Sequence, residues 1–125
     1  MSSKKTALCE ETGLYKAFLE LLKVHTRYMK NIDRAYQIMY SQESTSLLLD
    51  CARSFITSYN SLSSEAKLLN ISDVKNKLTA YDLIIRVFGD EKILSLHQIS
   101  VIGKHLAVIQ MQLSGFEKKI ESNIG

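Results

Sequence analysis

The sequence predicts an all-α protein whose helices pack as an antiparallel up-down four-helix bundle. Apolar residues recur alternately three and four residues apart along most of the chain, and proline is absent from its 125 residues. Because an internal proline removes a helical hydrogen bond, a chain without proline can form long uninterrupted helices. Short connections between amphipathic helices favour antiparallel neighbours. We predict helices over residues 13–41, 45–69, 72–88 and 95–122, the third being the shortest, in one domain (13–125) that follows a flexible N-terminal tail (1–12).

The first helix is predicted from a long apolar stripe. Only a helix places residues spaced alternately by four and three on one side. Nothing between residues 13 and 41 interrupts the pattern, so we predict one helix of about 28 residues and about 42 Å. The stripe consists of Leu14, Phe18, Leu21, His25, Tyr28, Ile32, Ala35 and Met39.

The second helix is predicted to begin after a serine-threonine cluster at residues 44–46, whose hydroxyls can cap free backbone N–H groups. The polar run from 60 to 64 is an alternative place for this helix to end. Leu62 stays in phase with the apolar stripe, however, so we predict one continuous helix. The stripe consists of Leu48, Ala52, Phe55, Tyr59, Leu62, Ala66 and Leu69.

Capping signals predict the last two helices. Residues 70–73 (Asn-Ile-Ser-Asp) have the form of a capping box, flanked by Leu69 and Val74 as a hydrophobic staple. The third stripe ends at Gly89, a residue type typical of a left-handed helix cap. A second capping box at residues 95–98 precedes the fourth helix. The main alternative architecture is a long helical hairpin that completes its core only by dimerising.

Motif content argues against catalysis. The sequence contains no phosphate-binding glycine loop, no HExxH and no CxxC, so neither a nucleotide site nor a metal site is indicated. His25 lies on the core stripe, and we interpret it as a packed, neutral side chain. A phosphotransfer protein using His97 is a remote alternative. We therefore expect no enzyme, no cofactor, no metal and no small-molecule substrate.

The small number of cysteines and the absence of long apolar runs favour an intracellular location. Cys9 and Cys51 are too few for a disulfide framework, so we expect reduced thiols. The N-terminus lacks the apolar region of a signal peptide. No apolar run approaches the roughly 18 residues that a membrane span requires. We expect a soluble, intracellular, cytoplasmic protein.

Positive charge is concentrated at the N-terminal end. Residues 1–42 hold seven Lys or Arg and four Asp or Glu, whereas residues 43–125 hold nine of each. Like charges spaced by four on a helix cost a few tenths of a kcal/mol, which favours a function for them. An anionic membrane surface and an acidic protein are the candidate partners; nucleic acid is weaker, because the pI is 8.8 and the aromatic residues lie on the core side. An ordinary solvated face is the alternative. The residues are Lys16, Lys23, Arg27, Lys30 and Arg34.

The third and fourth predicted helices carry more apolar residues than a bundle core requires. If these helices are adjacent, the surplus side chains form one exposed apolar surface, and such surfaces mark contacts with other proteins. A second copy of the chain and a foreign amphipathic helix both fit. The sequence thus predicts a non-enzymatic adaptor or scaffold module that binds a protein partner or forms a homo-oligomer. The surface consists of Leu83, Val87, Leu94, Val101, Val108 and Met111.

Overall fold

The computed structural model describes residues 8–36 and 40–124, and every regular element within these ranges is helical. The predicted all-α class is confirmed. In this described part of the chain, a 3-10 turn at Cys9–Glu11 precedes five α-helices, of which α2 is a single short turn. The helices are α1 (Gly13–Lys30), α2 (Arg34–Tyr36), α3 (Gln42–Asn60), α4 (Ser64–Asp90) and α5 (Leu96–Ile124).

The four long helices enclose one apolar core. Helix α1 contacts α3 and α5, and α4 contacts the same two helices. The predicted stripes supply most of the interior. Phe18, Phe55, Ile85 and Ile109, one from each long helix, are each at most 2% exposed and belong to the same cluster of buried residues.

The predicted C-terminal end of the first helix, residue 41, is wrong, because α1 ends at Lys30. Asn31 caps it, with its N–H donating to the carbonyl of Tyr28 at 3.1 Å and its side chain donating to the carbonyl of Arg27 at 3.2 Å. Asp33 then accepts from the N–H of Ala35 at 3.2 Å. Short polar side chains of this kind compete with the helix for backbone hydrogen bonds. Met39, the last residue of the predicted stripe, lies outside the described residues.

The second predicted helix is also wrong, because the chain leaves the helix at residues 61–63. Ser61 and Ser63 are extended, with ψ near 147° and 150°, and Leu62 is fully exposed. The hydroxyl of Ser63 accepts from the N–H of Ala66 at 3.1 Å, which caps α4. Lys67 donates to the last carbonyls of α3, reaching that of Tyr59 at 2.8 Å. The polar run from 60 to 64 therefore marked the end of the helix correctly. The spacing that placed Leu62 on the apolar stripe did not correspond to a buried position.

Helix α4 is 27 residues long, so the prediction that the third helix is the shortest is wrong. The predicted boundary at Asn70 lies inside this helix, where the Asn70 amide donates to the carbonyl of Ala66 at 2.9 Å. Continuity brings Ile71 into the core beside Val74, and both are completely buried. Burying these two side chains outweighs a local capping pattern, since each contributes about 1.5–3 kcal/mol.

The connection between α4 and α5 follows the prediction only in part. The capping box is confirmed: the N–H of Gln98 donates to the hydroxyl of Ser95 at 3.1 Å, and the N–H of Ser95 donates to the Gln98 side chain at 2.9 Å. Gly89 is not the left-handed cap, because Lys92 has the positive φ of 60°. A Cβ at position 89 would lie 3.1 Å from Ile99, so this glycine permits a close approach of the two helices.

The N-terminal segment is partly described. Residues 1–7 of the predicted tail lie outside the described residues. In the 3-10 turn that follows, the Cys9 side chain is only 8% exposed, and the turn contacts α1 and α3. The hydroxyl of Thr12 then accepts from the N–H of Tyr15 at 3.1 Å, which caps α1.

The corrected start of α4 can be tested by mutation. We expect Ser63→Ala to lower the free energy of unfolding by about 1 kcal/mol, because it removes the cap of α4. Asn70→Ala should leave stability within about 0.5 kcal/mol of the wild type, since Ala is the better helix former inside a helix. Urea titration followed by circular dichroism measures both. A larger loss of stability for Asn70→Ala than for Ser63→Ala would instead support a helix boundary at Asn70.

Candidate functional site

The structure divides the predicted basic residues between two helices. Lys16, Lys23, Arg27 and Lys30 are exposed on α1, whereas Arg34 is exposed on α2, beyond the turn at residues 31–33. The sequence predicted all five basic residues on one continuous helix. In the structure, the row of basic residues on α1 ends at Lys30.

Three of these basic residues surround a shallow depression on α1. Lys23, Arg27 and Lys30 line it together with Leu22 and Thr26. Lys23 forms an ion pair with Glu20 at 3.3 Å, and both side chains are 56% exposed. Exposed pairs of this kind contribute little to stability. Basic side chains therefore dominate the lining of this depression, and we call it the cationic depression.

The predicted apolar surface is only partly exposed. Leu83, Val87, Val108 and Met111 are between 41% and 68% exposed. Leu94 is 3% exposed, because the turn after α4 points it into the core, and it is no surface residue. Val101 is half-buried and packs against the core.

A pocket lies between α4 and α5. Four of the six residues that line it are polar: Lys75, Thr79, Gln110 and Ser114. An ion pair between Lys75 and Glu117 joins the helices there.

Val108 lies on a different side of α5. The side chain of Gln112 reaches α1, where a Cβ on Gly13 would lie 2.9 Å from its oxygen. Val108 is one turn before Gln112 and so lies toward the α1 side of α5.

An apolar groove between α1 and α3 was missed by the sequence analysis. Its volume is about 200 Å³, and its lining is almost wholly apolar. Leu19 and Leu49 stand at its margins and are 42% and 37% exposed, whereas Phe18 and Phe55 form its buried floor. The remaining lining residues are Tyr15, Leu22, Ala52, Arg53 and Ile56.

The groove exists because apolar residues extend beyond the core stripe on both helices. Tyr15 and Leu22 are seven residues apart on α1, and Leu49 and Ile56 are seven apart on α3. Each pair widens its helix's apolar side in the same direction. The small side chain of Ala52 lies between them and leaves the space unfilled.

The groove adjoins the cationic depression, because Leu22 lines both. On the α3 side Arg53 lines the groove, and its side chain is 71% exposed and paired with Asp50 at 2.9 Å. An apolar floor with positive charge at its margins can bind an apolar side chain and attract an anionic group beside it.

Two buried side chains, His25 and Cys51, have pKa values that burial shifts. His25 is completely buried, with Nδ1 2.9 Å from the Tyr81 hydroxyl and Nε2 2.9 Å from that of Thr45. Burial lowers the pKa of His25 to about 4, so this imidazole is neutral at pH 7. Burial raises the pKa of the Cys51 thiol to about 12, which makes it a poor nucleophile. Within the described ranges, no three potential ligands are grouped as a metal site requires.

Comparisons with protein-family models, with curated proteins and with solved structures found no match for this chain. None of the helices that the structure describes combines the length and the apolar character needed to cross a bilayer.

Proposed function

We propose that the chain is a non-enzymatic protein-interaction module, an adaptor or scaffold domain that binds its partner in the α1–α3 groove. The observation that carries the proposal is the groove itself. Leucine side chains stay exposed at its margins although neighbouring residues of the same helices are fully buried. Apolar concavities of this kind gain free energy when a partner covers them, at about 25 cal/mol per Å² of apolar surface.

The proposed scaffold is an antiparallel up-down four-helix bundle of α1, α3, α4 and α5. The supporting contacts join residues near the N-terminal end of one helix to residues near the C-terminal end of its neighbour. Phe18 stacks on Phe55 with ring centres 5.9 Å apart, whereas His25, further along α1, reaches Thr45 near the start of α3. Between α3 and α4, Ser54 donates to Asp73 at 2.7 Å and Ser58 donates to the carbonyl of Lys67 at 2.7 Å. Both pairs of helices therefore run in opposite directions.

Mutation of the groove margin tests the proposed contact surface. We expect Leu49→Glu to reduce partner capture from a lysate of the source cell at least tenfold, because a carboxylate cannot be desolvated on the apolar floor. Met111→Glu, at an exposed apolar site on α5 outside the groove, is the control and should leave capture unchanged. Quantitative mass spectrometry measures the captured proteins, and circular dichroism checks that both variants fold.

Two other outcomes would move the contact. If Met111→Glu or Leu83→Glu abolishes capture and Leu49→Glu does not, the partner binds the exposed apolar residues of α4 or α5. If all three variants capture the same proteins equally well, none of these surfaces is the contact and the proposal fails.

A further inference from the structure

We propose that the α1–α3 groove binds a short amphipathic helix of a partner protein, with acidic residues along the edge of its apolar face. The inference rests on the proposed function and names the chemistry of the partner. It follows from three properties of the groove: its length, the absence of free backbone groups in its walls, and the charge at its margins.

The length of the groove fits two turns of helix. Its lining runs from Tyr15 to Leu22 on α1 and from Leu49 to Ile56 on α3. Seven residues of helix rise about 10 Å, which equals the distance from position i to i+7 on a partner helix. The groove therefore accommodates apolar side chains at i, i+3 or i+4, and i+7. Its volume of about 200 Å³ is enough to admit side chains rather than a flat contact.

The walls of the groove favour a helix over an extended peptide. Residues 15–22 and 49–56 lie inside α1 and α3, so their backbone N–H and C=O groups are engaged within those helices. An extended segment would find no backbone partner here and would leave its own polar groups against an apolar lining. A helix brings its backbone hydrogen bonds with it and exposes only side chains.

The charges at the margins select an acidic flank. Lys23 and Arg27 continue the α1 margin beyond Leu22, and Arg53 stands on the α3 margin. Two acidic side chains, Glu20 and Asp50, pair with Lys23 and Arg53. Lys23, Arg27 and Arg53 thus stand against two carboxylates, which leaves an excess of positive charge at the margins. Carboxylates along a partner's edge complement this excess, which mainly orients the partner and speeds association.

The chain's own exposed apolar residues match the groove less well. On α4, Leu83 and Val87 are four residues apart and so span about 6 Å, little more than half of the groove. On α5, Val108 has Lys104 one turn before it, which would place a like charge beside the cationic margin. A foreign helix is therefore the occupant that we propose.

Model peptides test the inference by fluorescence anisotropy on the intact protein. The probe is a labelled 16-residue peptide with leucines at i, i+4 and i+7 and glutamates on both flanks; the comparison peptide carries lysines in place of the glutamates. We expect the glutamate peptide to bind at least tenfold more tightly than the lysine peptide. Leu49→Glu should weaken its binding at least tenfold, and Lys23→Glu with Arg27→Glu should reduce the preference for glutamate. Thr79→Glu, in the polar surface between α4 and α5, should change neither quantity.

The outcomes separate this inference from the proposed function. Equal binding of both peptides, abolished by Leu49→Glu, would overturn the acidic flank but keep the groove as the contact surface. Binding that survives Leu49→Glu would overturn both. Absence of binding at millimolar peptide would overturn the inference alone, since a partner of another kind could still fill the groove.

Two further measurements address other occupants. Sedimentation with phosphatidylserine vesicles that Lys23→Glu with Arg27→Glu abolishes, in the absence of peptide binding, would replace the helix with an anionic membrane surface. A doubling of mass in light scattering that Leu49→Glu reverses, and that the glutamate peptide does not, would replace it with a second copy of the chain.

Discussion

Acidification from pH 7 to pH 4 should lower the free energy of unfolding by about 3 kcal/mol through His25 alone. The folded protein holds the pKa of this imidazole at about 4, whereas the unfolded chain has the ordinary value near 6.5. Between these two values the unfolded chain binds more protons, so stability falls as pH falls. The stabilisation is complete above pH 6.5 and is lost by about pH 4. Each unit of pKa difference corresponds to about 1.36 kcal/mol, and the difference is about 2.5 units.

The surroundings of His25 explain why protonation is unfavourable. Tyr81 on α4 and Thr45 on α3 present hydroxyls to the two ring nitrogens, and Ser44 lies 3.4 Å from Nε2. A neutral imidazole satisfies this arrangement, with one nitrogen donating and the other accepting. A second ring proton would have to displace a donated hydrogen bond, and burial denies the added charge its hydration.

Urea titrations at pH 7, 5.5 and 4.5 would measure this dependence. His25→Leu should remove most of the slope between pH 4 and 6.5, although it lowers stability at pH 7 by leaving two hydroxyls without their partner. His97→Gln, at an exposed site at the start of α5, is the control and should keep the slope.

The Asp73 carboxylate contributes to the free energy of unfolding in a different pH range. Hydrogen bonds from Ser54 and Lys77 lower the pKa of Asp73, so its contribution is lost only as pH falls through that lowered value. A slope that persists in His25→Leu between pH 5 and 6.5 would show that another group titrates on folding.

The core was predictable from the sequence because burial follows periodicity. Phe18 and Phe55 were assigned to apolar stripes by spacing alone, and both are buried. Helix ends were less predictable, since several local patterns compete for the same backbone groups. At Asn70 a capping pattern was present, but the core gained more from Ile71 in a continuous helix than a cap contributes.

The α1–α3 groove could not be predicted from the sequence, although the apolar residues that line it could be seen there. The signal was present in the sequence, as Leu49 and Ile56 lie seven residues apart beside the core stripe, and Tyr15 and Leu22 do the same on α1. Such a pair is ordinarily covered by a neighbouring helix. Whether it is covered depends on which helices become neighbours and how closely they approach, and this is a tertiary property. The sequence also showed an apolar surplus on α4 and α5, and the packing buries part of it, since Leu94 is 3% exposed and Val101 is half-buried.

Replacing Phe55 with alanine should cost about 3–5 kcal/mol, the usual range for a buried phenylalanine. Its ring is 1% exposed and packs against three others, with centres 5.9 Å from Phe18, 5.7 Å from Phe116 and 6.1 Å from Tyr59. The rings come from α1, α3 and α5, so no single side chain can move to fill the space. Since a domain of this size is stable by about 5–15 kcal/mol, the loss takes a large share of the total.

Leu62→Ala is the matched control for this substitution, because the sequence placed both residues on one apolar stripe. Leu62 is fully exposed between α3 and α4, and its truncation should change stability by less than about 0.5 kcal/mol. Chemical denaturation of both variants measures the contrast. A loss at Leu62 as large as that at Phe55 would mean that the chain remains helical through residues 61–63 and buries this side chain. In that case α3 would not end at Asn60, and the direction in which α3 and α4 meet would have to change with it.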